Sequence, residues 1–271
     1  MKPITDKEFR KLAEYIKANY GVNLFQKKAL VVGRLQNYIT QSNFGSFSDY
    51  YGYIESDKTG KAAATLINRV TTNHTFFMRE PEHFEYFKNT VLPGLVTREY
   101  ARKDLRIWSA GCSTGEEAYT LAMVIADHFG ADKGRWDTKI LATDISTRAL
   151  EKAVEGEYPN EGLESLPEKW RRDYFTRLSD EKSIIADKIK SEVIFRKFNL
   201  MEEVFPFRKK FHVIFCRNVM IYFDSKARKE LADKFYEFME SGGYLFIGHS
   251  ESLNREETKF KHVLPAVYRK D

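Results

Sequence analysis

The chain of 271 residues, 42% hydrophobic and 31% charged, has the make-up of an ordinary globular protein and is long enough for one large domain, or one plus a small one. It holds no repeat or low-complexity stretch, and its two cysteines, Cys112 and Cys216, are too few for a disulfide framework and lack metal-ligand spacing, so buried, reduced thiols and no metal are expected. No apolar h-region opens the sequence and no run approaches the ~18 apolar residues of a membrane span, which predicts a cytoplasmic protein without membrane insertion.

The net charge of +5 is unevenly placed, since residues 1–79 carry 12 Lys/Arg against 6 Asp/Glu. Such a basic front suits an acidic protein surface or a nucleic acid, or is a solvated helical face. Thr5-Asp-Lys-Glu8 reads as a capping box, and Phe9, Leu12, Ile16 and Tyr20 follow at spacings of three and four, so an amphipathic helix comes first and Gly21 ends it. Helical patterns over about 27–41, 46–55 and 61–70, with polar, Gly-containing breaks, complete an all-helical front module. Pro81 at a first-turn position opens another helix bearing His83, Phe84 and Phe87, and Pro93-Gly94 closes that region.

From there short strands alternate with helices. A strand over 105–109 leads to a helix over about 116–129 ended by Gly130, and a strand over 138–143 leads to a helix capped by Ser146. Later come Phe211–Cys216, a helix over about 225–240 stopped by Gly242-Gly243, and a strand over 244–248. The alternation predicts an α/β fold, a mostly parallel sheet covered on both faces with ligands at the carboxyl ends of its strands. Residues 157–200 break the rhythm: Ser183–Ile189 and Glu192–Phe198, after Asp173–Arg177, read as short antiparallel strands of an inserted β-subdomain. The expected division is 1–79 and 80–271, with the insertion at about 157–200.

Leu105-Arg-Ile-Trp-Ser-Ala-Gly-Cys-Ser-Thr-Gly115-Glu-Glu runs a strand into a glycine turn. In dinucleotide sites such a turn presents a helix N-terminus to a pyrophosphate. Here Glu116 and Glu117 stand where that negative charge would go, and Gly111-x-x-x-Gly115 is not the G-x-G-x-x-G spacing, so a cationic or zwitterionic ligand is expected. Asp144, ending the second strand, is placed to accept both hydroxyls of a ribose, or to cap the next helix. A phosphate-free nucleoside carrying positive charge points to S-adenosylmethionine. Asn73-His-Thr-Phe-Phe-Met-Arg-Glu80, at the joint of the two parts, lacks clean periodicity. Phe76, Phe77 and Met78 read as core, whereas Asn73, Thr75 and Arg79 do not. Arg217-Asn-Val-Met-Ile-Tyr-Phe223 likewise puts Arg217, Asn218 and the Tyr222 hydroxyl at a strand's carboxyl end.

N-H-T-F-F-M-R-E, W-S-A-G-C-S-T-G-E-E-A-Y, A-T-D-I, F-N-L and F-C-R-N-V-M-I-Y-F, in this order and spacing, resemble the chemotaxis-receptor glutamate methyltransferases of the CheR family over nearly the whole chain. The resemblance implies a Rossmann-like S-adenosylmethionine-dependent methyltransferase sheet with an all-helical N-terminal domain and an inserted antiparallel β-subdomain. It further implies cofactor contacts from Asn73, Thr75, Arg79, Glu117, Asp144, Asn199, Leu200, Arg217 and Asn218, with Arg79 and Tyr222 acting on the reacting groups. Its acceptors are glutamates on the cytoplasmic helical bundle of methyl-accepting chemotaxis receptors, with S-adenosylhomocysteine as product, and Lys27, Lys28 and Arg34 would lie along such an acidic helix. Members that dock on a receptor C-terminal pentapeptide carry a glycine-rich turn in the β-subdomain, whereas Leu178-Ser-Asp-Glu-Lys182 has no glycine, so independence from that peptide is expected. Two rivals stand beside this reading, a methyltransferase for another protein carboxylate and a non-catalytic S-adenosylmethionine-binding adaptor. A nucleic-acid base methyltransferase would carry an Asn/Asp-Pro-Pro-Tyr or Pro-Cys motif, and neither occurs.

Overall fold

The computed structural model describes residues 3–271. Four helices come first: α1 (Asp6–Tyr20), α2 (Lys28–Gln41), α3 (Phe47–Ser56) and α4 (Lys61–Val70). The capping box at the start of α1 forms as the sequence predicts, Thr5 accepting from Glu8 N at 3.2 Å while the Glu8 carboxylate takes Thr5 N at 2.8 Å, and Gly21 closes the helix with φ 72°. Ile16, Leu35, Ile39 and Leu66, all fully buried, meet in the core of this module. Each contributes about 1.5–3 kcal/mol by leaving water, far more than helix propensity supplies.

The second part is a seven-stranded sheet with a small three-stranded sheet beside it. It is entered through α5 (Pro81–Tyr86), a π-helical turn at Phe87–Val91 and α6 (Leu92–Arg98). There follow β1 (Ile107–Ala110), α7 (Glu116–Phe129), β2 (Ile140–Asp144), α8 (Thr147–Glu155), β3 (Glu157–Pro159), α9 (Glu168–Tyr174), β4 (Phe175–Arg177), β5 (Lys182–Ile185), α10 (Asp187–Lys190) and β6 (Val193–Lys197). The chain ends with β7 (Phe211–Cys216), α11 (Ser225–Glu237), β8 (Met239–Ile247), β9 (Lys261–Leu264) and β10 (Val267–Arg269). The large sheet runs β6-β2-β1-β7-β8-β10-β9, parallel through its first five strands and antiparallel at its last two. Every residue of β1 and β7 is buried, as strands covered on both faces require. The chain winds one way from β1 to β2 and the other way from β7 to β8, which opens a crevice above the carboxyl ends of β1 and β7.

Four expectations are corrected. Val193–Lys197 is not antiparallel and not part of the β-subdomain: it pairs in parallel with β2, Ile140 opposite Val193 and Asp144 opposite Lys197, as an edge strand of the main sheet. Alternating apolar residues fit either partner, so the pattern could not choose between them. The small antiparallel sheet is β3-β5-β4, within 157–185. Pro93-Gly94 does not close a helix: both lie in α6, which runs on directly from the π-helical turn with helical backbone at Val91 and Leu92. Gly242-Gly243 is not a helix stop either, since α11 ends at Glu237 and both glycines lie inside β8, at the bulge where its register on β7 shifts. An antiparallel hairpin, β9–β10, which the alternation of elements does not predict, closes the edge of the sheet.

Polar contacts dock the helical module on the sheet. Asn68 bridges to α8, donating to Thr147 Oγ1 and accepting from Ser146 Oγ, both at 2.9 Å. Lys17 pairs with Asp224 at 2.8 Å, and Asn23 N donates to Tyr222 O at 2.8 Å. The module therefore roofs the crevice instead of trailing from it.

Candidate active site

The crevice and its roof form a pocket that opens at one mouth, and the ten residues expected to contact the cofactor or the reacting groups all line it. The first wall is the turn after β1. Gly111 takes φ 89° and its Cα lies so near Val219 that a Cβ would collide with that side chain. Gly115, at φ 96°, packs against Ala153 where a Cβ would stand 2.9 Å from that residue's own. Between them the Ser113 hydroxyl donates to Asn73 O at 3.1 Å, tying the interdomain segment to the turn.

The two acids after the turn part company. Glu116 is buried outside the cavity lining, receiving the Thr114 hydroxyl at 2.7 Å, and so takes no part in excluding a pyrophosphate. Glu117 faces the cavity, accepts from Ser109 Oγ at 2.7 Å and stands 3.5 Å from Arg217 Nη1. Burial pushes its carboxyl above the usual carboxylate range against the pull of Arg217 and Ser109. Asp144 closes β2 with each carboxylate oxygen taking one backbone N–H at 2.8 Å, Ser113 N on Oδ2 and Ser146 N on Oδ1. The cap of α8 is Ser146, whose hydroxyl accepts from Ala149 N at 3.2 Å, so Asp144 is not the helix cap. Burial raises its carboxyl, and those N–H groups oppose the rise.

The interdomain segment forms a second wall. Met78 and Glu80 both adopt left-handed backbone, φ 56° and 55°, on either side of Arg79. Such conformations cost about 1–3 kcal/mol each and cluster where a site fixes a side chain. Arg79 Nη1 donates to His74 O at 2.7 Å, while Asn73 Nδ2 reaches Ser146 Oγ at 3.4 Å. Phe77 and Met78 pack in or against the core, as expected. Phe76 does not: it is 46% exposed at the cavity mouth, its ring tilted at 59° to that of His74, which also lines the cavity.

The third wall follows β6 and β7. The Asn199 side chain bonds Met201 N at 3.0 Å and Asn19 O at 2.8 Å, fastening α1 to the sheet beside buried Leu200. Arg217 donates through Nη2 to Arg79 O and, at 3.1 Å, to Glu80 Oε2, lies 5.0 Å from the Phe84 ring centroid, and leaves its buried Nε without a partner. Asn218, at φ 60°, donates from Nδ2 to Glu80 Oε1 at 3.1 Å, and its backbone N–H goes to Glu251 Oε2 at 2.9 Å. Tyr222 lines the mouth with Lys27 Nζ 5.3 Å from its ring centroid. The cysteines take no part as thiolates, because burial pushes both thiols well up.

Two groups of site residues lie outside those the sequence predicts. Glu80 and Glu251 carry the hydrogen bonds that set Arg217 and Asn218, and the helical module contributes Tyr20, Val22, Leu24 and Leu30 to the cavity wall. Glu80 alone carried a signal, as the last residue of the N-H-T-F-F-M-R-E stretch. Of the three cations expected along a partner helix, Lys27 is exposed at the mouth, Lys28 pairs with Asp6 at 2.6 Å, and Arg34 is spent inside, donating to Val70 O at 2.6 Å and Thr72 Oγ1 at 3.0 Å.

A doubly wound parallel sheet with a glycine turn after its first strand, a carboxylate ending its second, and no phosphate-binding spacing defines the class of S-adenosylmethionine-dependent methyltransferases. Residues 73–268 match the family described as CheR methyltransferase, SAM binding domain, and residues 7–71 match the CheR methyltransferase, all-alpha domain. The chain belongs to the CheR methyltransferase family. It is 41% identical to the chemotaxis protein methyltransferase of Borreliella burgdorferi, over 99% of this chain and 95% of that one. It is 34% identical to the chemotaxis protein methyltransferase of Escherichia coli, covering 98% and 91% of the two chains, and 33% identical to chemotaxis protein methyltransferase 2 of Pseudomonas aeruginosa, covering 97% and 93%.

Proposed function

We propose that the protein transfers the methyl group of S-adenosylmethionine to glutamate side chains on the cytoplasmic helices of chemotaxis receptors, giving glutamate methyl esters and S-adenosylhomocysteine. The cavity fits that cofactor's charges. Glu117 faces it as an acceptor for the ammonium group, the unpartnered Nε–H of Arg217 is available to the methionine carboxylate, and Asp144 retains lone pairs for ribose hydroxyls. Asn73, Thr75, Asn199, Leu200 and Asn218 complete the cofactor walls in this reading. The names of the relatives carry the chemotaxis setting.

The observation that favours a carboxylate acceptor is the mouth of the cavity, where Arg79, Lys27 and Tyr222 gather. A glutamate of ordinary pKa, ~4.3, is ionised at neutral pH and needs no base to become a nucleophile. The bound cofactor supplies an electrophilic methyl on a sulfonium. What the chain supplies is alignment of the carboxylate oxygen with it, worth up to ~7–11 kcal/mol in favourable cases. Arg79 orients the acceptor carboxylate, and its bond to His74 O already shares its positive charge, so the nucleophile is not locked in a full ion pair. Tyr222 donates a hydrogen bond beside it.

The partner face follows from the same mouth, with Lys27 meeting an acidic receptor helix. The β4–β5 turn closes on itself, Leu178 N and Ser179 N both donating to Lys182 O at 3.0 Å, and Asn160 Nδ2 holds it from beside β3 by Ser179 O and Asp180 O at 3.2 and 2.9 Å, which supports recognition without a pentapeptide tether. No helix among the described residues is long and apolar enough to cross a membrane. A receptor cytoplasmic fragment and its variant with acceptor glutamates changed to glutamine test the proposal. Transfer to the first and none to the second is expected; equal transfer to both, or cofactor binding without transfer, overturns it.

A further inference from the structure

Glu80 follows directly on Arg79 and is held in its left-handed backbone by what its carboxylate binds. Oε2 takes Arg217 Nη2 at 3.1 Å and His249 N at 3.3 Å, Oε1 takes Asn218 Nδ2 at 3.1 Å, and His83 Nδ1 lies 3.4 Å away. Burial pushes this carboxyl up, but Arg217, Asn218 and His249 outweigh it and hold Glu80 below the usual carboxylate range. Glu80, His83 and His249 bring ligand-type atoms within 4.8 Å of one another, which suggests a divalent ion. Arg217 argues against one, because its guanidinium already occupies the carboxylate oxygen such an ion needs, and two cations on one buried oxygen repel.

The same guanidinium shows what Glu80 does. Arg217, with a side chain 2% exposed, lies between two carboxylates, Glu80 at 3.1 Å and Glu117 at 3.5 Å. We propose that Glu80 is a positioning residue for the methionine end of the cofactor: it draws Arg217 off Glu117 and orients Asn218, so that Glu117 stays open to an ammonium and Arg217 to a carboxylate. Without the Glu80 charge, Glu117 becomes the nearest counter-ion of a buried guanidinium. The two then close on each other and mask both groups the cofactor needs. The inference rests on reading Glu117 and Arg217 as ligands of that end.

Titration calorimetry with S-adenosylhomocysteine and with 5′-methylthioadenosine, which lacks the amino-acid end, isolates the effect. Glu80→Gln is expected to weaken S-adenosylhomocysteine roughly tenfold or more, the scale of a hydrogen bond to a charged group, and to change 5′-methylthioadenosine by less than about twofold. Equal losses on both ligands would mean a merely structural residue, and no loss on either would mean no role; each overturns the inference. Glu117→Gln separates it from the reading beneath it: if Glu117→Gln spares S-adenosylhomocysteine, that reading has failed, whereas if only Glu80→Gln spares it, the positioning role alone has failed. Should Glu80→Gln not fold, Glu80→Asp withdraws the charge by one methylene and is expected to give the same selective loss, with equal losses again counting against it.

Discussion

Glu117 and Arg217 stand 3.5 Å apart with side chains 14% and 2% exposed, a carboxylate and a guanidinium too far apart for a tight ion pair and too buried to be paired by water. A site prepared for a zwitterion has this arrangement, each partner keeping capacity for the opposite end of a ligand. Glu117→Gln keeps the shape and the acceptor for Ser109 while removing the charge, so it is expected to weaken S-adenosylmethionine binding about 10- to 150-fold by calorimetry, from ~1.5–3 kcal/mol for a charged hydrogen bond. Unaltered affinity would remove Glu117 from the methionine end.

The raised carboxyl of Glu117 makes cofactor binding pH-dependent with a definite sign. In the free protein burial keeps a fraction of Glu117 protonated above the usual carboxylate range, and a bound cation favours the ionised form, so binding releases protons. Affinity is expected to rise as pH increases through the elevated pKa, with a binding heat that depends on the buffer, and Glu117→Gln is expected to flatten both. For stability the folded state binds more protons than the unfolded one between the ordinary pKa and the raised one. Glu116, Glu117, Asp144 and Glu251, all raised by burial, therefore each withdraw stability as pH climbs through that window, while lowered Glu80 adds stability as pH climbs through a separate window below its ordinary value. Thermal melts of the free protein across mildly acidic pH check the net slope.

Arg79→Ala removes the group assigned to orient the acceptor and leaves Asp144, Glu117 and Arg217 in place. Its methyl-transfer rate is expected to fall by about 100-fold or more, the scale of lost positioning, with cofactor affinity within a few-fold of the parent. Rapid-quench turnover beside calorimetry separates the two. Comparable losses in both would place Arg79 on the cofactor alone.

Lys27→Glu reverses the exposed charge beside Tyr222 without touching the cofactor walls of the sheet. It is expected to raise KM for a receptor fragment several-fold, with the effect shrinking as salt rises, and to leave S-adenosylmethionine affinity unchanged. Arg34 is not equivalent, since its guanidinium holds Val70 O and Thr72 Oγ1, and replacing it should lower the melting temperature instead.

The site was readable from sequence where local chemistry and strand ends coincide. Gly111, Glu117, Asp144, Arg217 and Asn218 all follow strands whose apolar runs mark their carboxyl ends, so a parallel sheet brings them together without further information. Asn73, Thr75 and Arg79 were visible because a polar and aromatic joint without periodicity is costly unless something uses it. Glu80 and Glu251 were missed because their meaning lies in partners more than 30 residues away, as the bonds to Arg217 and Asn218 show. The place of Val193–Lys197 beside β2 is hidden for a related reason: period-two alternation marks a strand and says nothing of its neighbour. The roof over the cavity depends on docking contacts such as Asn68 to Ser146, which carry no sequence signature at all.

Ester formation on a glutamate is read from the alkali lability of the product. After incubation with methyl-labelled S-adenosylmethionine and a receptor cytoplasmic fragment, label on the fragment is expected to be released as volatile methanol by mild base, as a carboxyl ester is. Label that stays on the fragment through base treatment would show transfer to nitrogen or another stable acceptor, and would rule out a glutamate methyl ester.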